Sequence, residues 1–281
     1  MTLFWLQLRG ETRKLFARKR TFIGFGAFLV FEIVVLFLLR LPPVQRSLSG
    51  AIERMGYDPT QYLSGLTLGL LIVAWTVFLL EALFLALVAG DVVSKEVEDG
   101  TLRMMLCRPI SRTRILTVKV IVALLYTIVL TLFVGLTALA VGLLNSGPGG
   151  LFVVDPPAGI FSFHDFWPGL TRYAIALPLL ALSLCTVTLL AFCLSCFNMK
   201  PAAATIITLS LLFADVIVRS VPFFEGIRGW FLTTKMSAWI QVFQARVPWE
   251  MMVESYVFLL AINVTLFVIG WAVFERRDFK S

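Results

Sequence analysis

The run ILTVKVIVALLYTIVLTLFVGLTALAVGLL, residues 115–144, decides the fold, and Lys119 is its only charged residue. A helix needs about 20 apolar residues to cross the hydrocarbon core of a bilayer. Comparable runs occupy 22–41, 62–89, 172–195, 202–221 and 253–274. The sequence therefore predicts an all-α membrane protein of six transmembrane helices, one domain over residues 1–281. The runs at 62–89 and 115–144 exceed a straight crossing, which predicts tilt or projection into the cytoplasm. Pro178 inside the fourth run predicts a local kink.

Composition supports bilayer residence independently. The chain is 59% apolar and 15% charged, with mean hydropathy +0.92, against about 45–50% and about 25% in soluble domains. A globular core of this length cannot hide that much apolar surface. The formal charge of +7 is compatible with nucleic-acid binding, but the basic residues flank apolar runs instead of forming one stripe, so no nucleic-acid partner is expected. Of the four cysteines, Cys193 and Cys196 spell C-x-x-C, Cys185 lies in the same apolar run, and Cys107 falls in a polar connector. One pair with no histidine nearby is short of ligands for zinc. Free thiols acting as small apolar groups are expected, and no metal.

Orientation follows from the basic residues. With the N-terminus inside, residues 1–21, 90–119, 196–201 and 275–281 hold 16 of the 24 Lys and Arg. Basic residues accumulate on the cytoplasmic side, so both termini are expected there, in a multi-pass protein of the plasma membrane (a bacterial inner membrane). The basic segment before the first run lacks a small-residue cleavage site after it and is read as a retained anchor. On a helix over 1–21, Phe4, Leu8 and Leu15 share one arc and Arg9, Arg13 and Arg20 another. That pattern predicts an interfacial helix on the inner surface.

The opposite side carries two loops of different texture. Residues 145–171 are rich in Gly and Pro and then in aromatics, with Phe161, Phe163, Phe166 and Trp167 suited to the headgroup level. His164, the only histidine, reads as an exposed loop residue. Residues 222–250 mix Phe223, Phe224, Trp230, Phe231, Trp239 and Trp249 with scattered charges, and read as one or two helices lying in the outer interface.

The most informative polar segment is the connector over 90–114, DVVSKEVEDGTLRMMLCRPISRTR after Gly90. Acids come first (Asp91, Glu96, Glu98, Asp99) and bases follow (Arg103, Arg108, Arg112, Arg114). Gly100 is placed to end one helix in the left-handed conformation. Leu102, Met105 and Leu106 share a face of a second short helix, which Pro109 stops, and Ser111 or Thr113 suits a cap on the next. This chemistry fits a charged elbow that docks in another protein's groove, and equally a solvated hairpin that reverses the chain.

The segment resembles the connector between helices two and three of ABC-2-type transporter permeases. The matching positions are Glu96, Gly100, Thr101, Leu102, Pro109, Ile110, Ser111, Arg112 and Lys119, and the ending FERRDF over 274–279 is similar to that family's usual close. The resemblance implies the transmembrane permease subunit of an ATP-driven ABC exporter. It implies a coupling helix seated in a separate ABC ATPase subunit through Lys95, Glu96, Glu98, Asp99, Gly100, Thr101, Leu102, Arg103, Met105, Arg108 and Arg112. It also implies a second permease copy, identical or not, with ATP and Mg on the partner ATPase. No G-x-x-x-x-G-K-[ST] run occurs in the sequence, so no P-loop nucleotide site is expected in this chain.

Ionisable residues inside spans are functional candidates. Glu32 and Glu81 are read either as hydrogen-bonded packing groups or as lining of a transport path, and Asp215 and Arg219, four apart, as a structural ion pair. Gly65 and Gly69 permit close helix approach. An ion- or proton-coupled carrier or channel using Glu32 and Glu81 without an ATPase is the alternative. A membrane enzyme is disfavoured because no nucleophile–base or metal-ligand cluster is present. A lipid, a hydrophobic peptide, a polysaccharide and an ion are all compatible cargoes.

Overall fold

A computed structural model describes residues 2–17, 19–102, 111–155 and 159–277. In chain order the helices are α1 (Thr2–Ala17), α2 (Lys19–Leu39), α3 (Pro42–Arg54), α4 (Pro59–Tyr62), α5 (Gly65–Thr76) and α6 (Ala82–Glu98), followed by α7 (Arg112–Ser146), α8 (Phe166–Cys196), α9 (Pro201–Ser220), α10 (Leu232–Met236) and α11 (Trp249–Arg276). Local chemistry sets many boundaries. Ser64 Oγ accepts from the Leu66 amide at 3.2 Å to start α5, and Ser111 Oγ accepts from Arg114 at 3.4 Å to start α7. Pro201 opens α9, where its missing N–H is harmless.

Among the described residues, five helices are long and apolar enough to cross a membrane: α2, α7, α8, α9 and α11. The stretch expected as the second span is helical from Gly65 to Glu98, but a π turn over Val77–Glu81 divides it into 12 and 17 residues. π turns are rare and mark places where a helix is re-aimed. α8 continues through Pro178 without a break.

Burial ranks the helices. The apolar window of α8 is 72% buried and that of α7 50%, against 11% for α9 and 17% for α11. α5, α6, α7 and α8 therefore form the packed centre, and α9 and α11 turn most of their apolar surface outward, as lipid-facing helices do. α5 lies against α7 through the glycines the sequence singled out. A Cβ on Gly65 would come within 2.7 Å of the Gly142 carbonyl oxygen, and one on Gly69 within 3.2 Å of that of Ala138. α1 presents buried Leu15 and half-buried Phe4 and Leu8 to the core, leaving Arg9 and Arg13 exposed, as expected.

The loop end of the bundle adds a small sheet to the expected all-α fold: β1 (Leu151–Asp155) pairs antiparallel with β2 (Ile160–His164), Leu151 opposite His164 and Asp155 opposite Ile160. Phe163, expected at the headgroup level, is half-buried. It stacks on Tyr57 at 3.9 Å and on Phe152 at 4.9 Å, inside an aromatic cluster with Tyr62. Phe161 and Trp167 stay exposed. Residues 222–243 form the expected short helical pieces, two 3-10 stretches (Pro222–Trp230 and Ser237–Phe243) flanking α10.

Candidate functional site

The root of the 90–114 connector is built around Glu96. Its carboxylate is 3% exposed and receives Lys119 Nζ at 2.6 Å and Lys14 Nζ at 2.5 Å. Lys119, itself 1% exposed, also reaches Glu11 at 3.3 Å. Two lysines and two glutamates thus balance in charge while joining three elements: α1, the end of α6 and the start of α7. Burial alone pushes the Glu96 carboxyl up, but attraction to Lys119 and the bonds from Lys119 and Lys14 outweigh it and hold the group below its ordinary value. A cavity of about 20 Å³ beside these side chains has room for about one water.

This arrangement changes the reading of the connector. Glu96, expected to face a partner protein, faces inward instead, because two lysines from distant parts of the chain meet there. Buried Leu102 also packs inward. Among the described residues of the connector, the acids Glu98 and Asp99 are exposed, with half-buried Lys95 beside them. Gly100 adopts φ +69° and ends α6, with the Asp99 amide bonded to Lys95 O and the Gly100 amide to Val97 O. Thr101 Oγ1 then donates to Glu96 O at 3.3 Å. Arg103, Met105 and Arg108 lie outside the described residues.

The far side of the connector is tied just as firmly. Arg112 donates to the carbonyls of Glu275 and Arg277, both at 2.9 Å, and Trp271 Nε1 donates to Thr113 Oγ1 at 3.1 Å. Arg277 in turn donates to Cys196 O and Phe197 O at 3.1 Å. Ser94 Oγ donates to Ser195 O at 3.0 Å, joining α6 to α8. One margin of the connector is therefore anchored to α1 and the other to the end of α11.

The intramembrane acids sit elsewhere. Glu32 Oε1 accepts from Thr137 at 2.9 Å and Glu81 Oε1 from Thr131 at 2.6 Å, so both are held to α7. Each side chain is 0% exposed, and each second oxygen lacks a hydrogen-bond partner among the described residues. The expected Asp215–Arg219 pair does not form. Asp215 instead accepts from the amides of Leu232 and Thr233, at 3.2 and 2.8 Å, and from Thr233 Oγ1 at 2.5 Å. Three donors at the start of α10 satisfy that carboxylate better than one flexible guanidinium, and Arg219 is left with Thr234 Oγ1 at 3.4 Å.

His164 is half-buried, not exposed: its Nε2 donates to Phe243 O at 2.7 Å. Burial pushes its pKa below the usual imidazole range, against the opposing pull of that carbonyl. Cys185, Cys193 and Cys196 are free and buried, as expected of small apolar groups. Among the described residues no group of three or more His, Cys, Asp or Glu is placed to hold a metal.

Sequence reasoning passed over Glu11 and Lys14 as members of this site. Lys119 carried the available signal, a lone charge in an apolar run, which must find a partner when the run is buried.

The sequence model of the ABC-2 family transporter protein matches residues 7–215, which takes in α1 from residue 7 onward, the whole connector and every member of the Glu96 cluster. No curated protein matches the chain. Family membership implies a non-catalytic subunit that works with an ABC ATPase. With this match over most of its length and its apolar helices, the chain belongs to the ABC-2 transporter family and is a multi-pass membrane permease of an ABC transporter.

Proposed function

We propose that the chain is the six-span permease of an ATP-driven exporter, with residues 62–89 as the second span, the rest of α6 projecting into the cytoplasm, and both termini cytoplasmic. A separate ATPase holding ATP and Mg seats against the 90–114 connector, and the permease pairs with a second copy, identical or homologous. The carrying observation is the Glu96 cluster, in which a buried ionic node fastens α1, α6 and α7 at the root of the connector. Force applied to a loop is lost in bending unless its root is stiff. Here the root is held by charges that cannot separate cheaply in a low-dielectric setting. Movement of the ATPase then displaces three helices together, and Arg112 carries the same displacement to α11.

The carrier alternative rests on Glu32 and Glu81, whose complete burial supports an interhelical packing role. The test of coupling uses Glu98→Lys with Asp99→Lys, both exposed. Co-purification of the ATPase should be lost while thermal unfolding and oligomeric state stay as in the parent protein. Retained association would overturn the docking assignment. Deleting the whole connector is a poorer test, since it removes buried Glu96 and Leu102 along with the docking surface.

A further inference from the structure

We propose that the chain carries a site for an anionic phospholipid between α5–α6 and α9, with one acyl chain in an apolar cavity and the headgroup phosphate on Arg219. α6 and α9 touch at one end, where a Cβ on Gly90 would lie 3.0 Å from Thr205 Oγ1 and Thr205 donates to Ala86 O at 3.4 Å. Toward the π turn they part. The gap is a cavity of about 280 Å³, close to the lower end of ligand-sized pockets, about 300 Å³.

Its walls are Val77 and Leu83 on one side, Leu184 and Val187 on the floor, and Leu212 and Phe213 on the other side. Leu83 and Phe213 are 42% and 58% exposed. They form a rim facing the bilayer, so the cavity is entered sideways between helices by a molecule already in the membrane. The polar end is formed by Arg219, Thr233 and Ser237.

Arg219 gives the site its charge preference. It is half-buried, and among the described residues its side chain has no carboxylate within ion-pair distance, only Thr234 Oγ1 at 3.4 Å. The nearest acid along its own helix, Asp215, is fully engaged by Leu232 and Thr233. A half-buried cation in a membrane setting is costly without a counter-charge, and guanidinium matches phosphate geometry. A zwitterionic lipid offers the same phosphate but brings its own ammonium, which weakens the net attraction to the guanidinium, and a free inorganic anion leaves the trough unfilled. The site rests on bilayer residence alone and does not depend on the ATPase reading.

The protein is reconstituted in nanodiscs of equal phosphatidylglycerol and phosphatidylcholine, released, and its retained lipids counted by native mass spectrometry. The parent protein should retain phosphatidylglycerol over phosphatidylcholine by about fivefold, the effect of one basic residue on an anionic lipid. Arg219→Gln should equalise the two, and Arg219→Lys should keep most of the preference. Ala82→Phe, filling the cavity wall, should remove the retained lipid of either kind. Melting temperature is followed for each variant, and the Gln and Lys variants at the cavity mouth report independently of whether Ala82→Phe folds. No preference in the parent, preference surviving Arg219→Gln, or displacement of phosphatidylglycerol by equimolar inorganic phosphate would each overturn the assignment.

Discussion

The two ends of the helix bundle are held together by different chemistry. At the connector end, Arg112 and Arg277 bond backbone carbonyls, but a buried node is added in which charge meets charge: Glu96, Lys119, Lys14 and Glu11 satisfy one another across three elements. At the hairpin end, charge meets backbone. Arg172 donates to the carbonyls of Val242, Gln244 and Ala245, and Asp215 accepts from two amides. Glycines and stacked rings fill the rest, with Gly65 N donating to Gly147 O at 3.0 Å and Ser64 Oγ to Gly150 O at 2.6 Å. A backbone clamp fixes a shape and is nearly indifferent to ionisation. An ionic node fixes a shape too, but one that depends on every member keeping its charge. The first suits a cap over the bundle, and the second suits the end at which we propose that force arrives.

The largest expected effect is on the node. Lys119→Met leaves buried Glu96 with only half-exposed Lys14, and should cost about 3–5 kcal/mol in thermal or denaturant unfolding. Glu96→Gln combined with Lys119→Met should recover most of that loss, because no charge is then stranded. Additive losses in the double variant would break the comparison.

Acid probes the same difference without mutation. Glu96 is held below its ordinary carboxyl value of about 4.5. Its stabilising contribution is therefore complete above that value and is lost as pH falls through the lower folded-state value. Hydrogen exchange in α1 should accelerate across that range, while α5, which carries no titratable side chain and packs on α7 through Gly65 and Gly69, should hold its protection.

At the hairpin end, Arg172→Met strands three carbonyls and removes charged hydrogen bonds, each worth about 1.5–3 kcal/mol. It should expose 222–250 to limited proteolysis while the ATPase still co-purifies. Simultaneous loss of ATPase binding would mean that the two ends are not separable. The smallest effect is expected from Tyr57→Leu, which keeps apolar area but loses the stack on Phe163, about 0.5–1.5 kcal/mol by melting.

Much of this molecule was legible from its residues. Runs of apolar side chains located the helices, since every backbone group in lipid must be bonded within its own segment. Gly100 ending α6, Ser111 starting α7, Gly65 and Gly69 against α7, and the apolar arc of α1 all followed from local rules. The misses share a cause. Asp215 and Arg219 satisfy the spacing for an ion pair, yet the amides of Leu232 and Thr233, far along the chain, outbid it. The hairpin over 151–164 is two five-residue strands in a Gly- and Pro-rich loop, too short to show a period without its partner. His164 looked exposed because nothing local announces Phe243 O.

Composition and periodicity by themselves determined bilayer residence and the course of the apolar helices, because the solvent acts on each segment separately, and the motif around Glu96 carried the resemblance to the family. Which charges meet was decided only by the tertiary structure. Lys14, Glu96 and Lys119 are more than twenty residues apart from one another in the chain, and packing of α1, α6 and α7 brings them within 2.6 Å contacts. A charge in a low-dielectric interior takes whatever partner the packing presents, and sequence distance has no bearing on that choice.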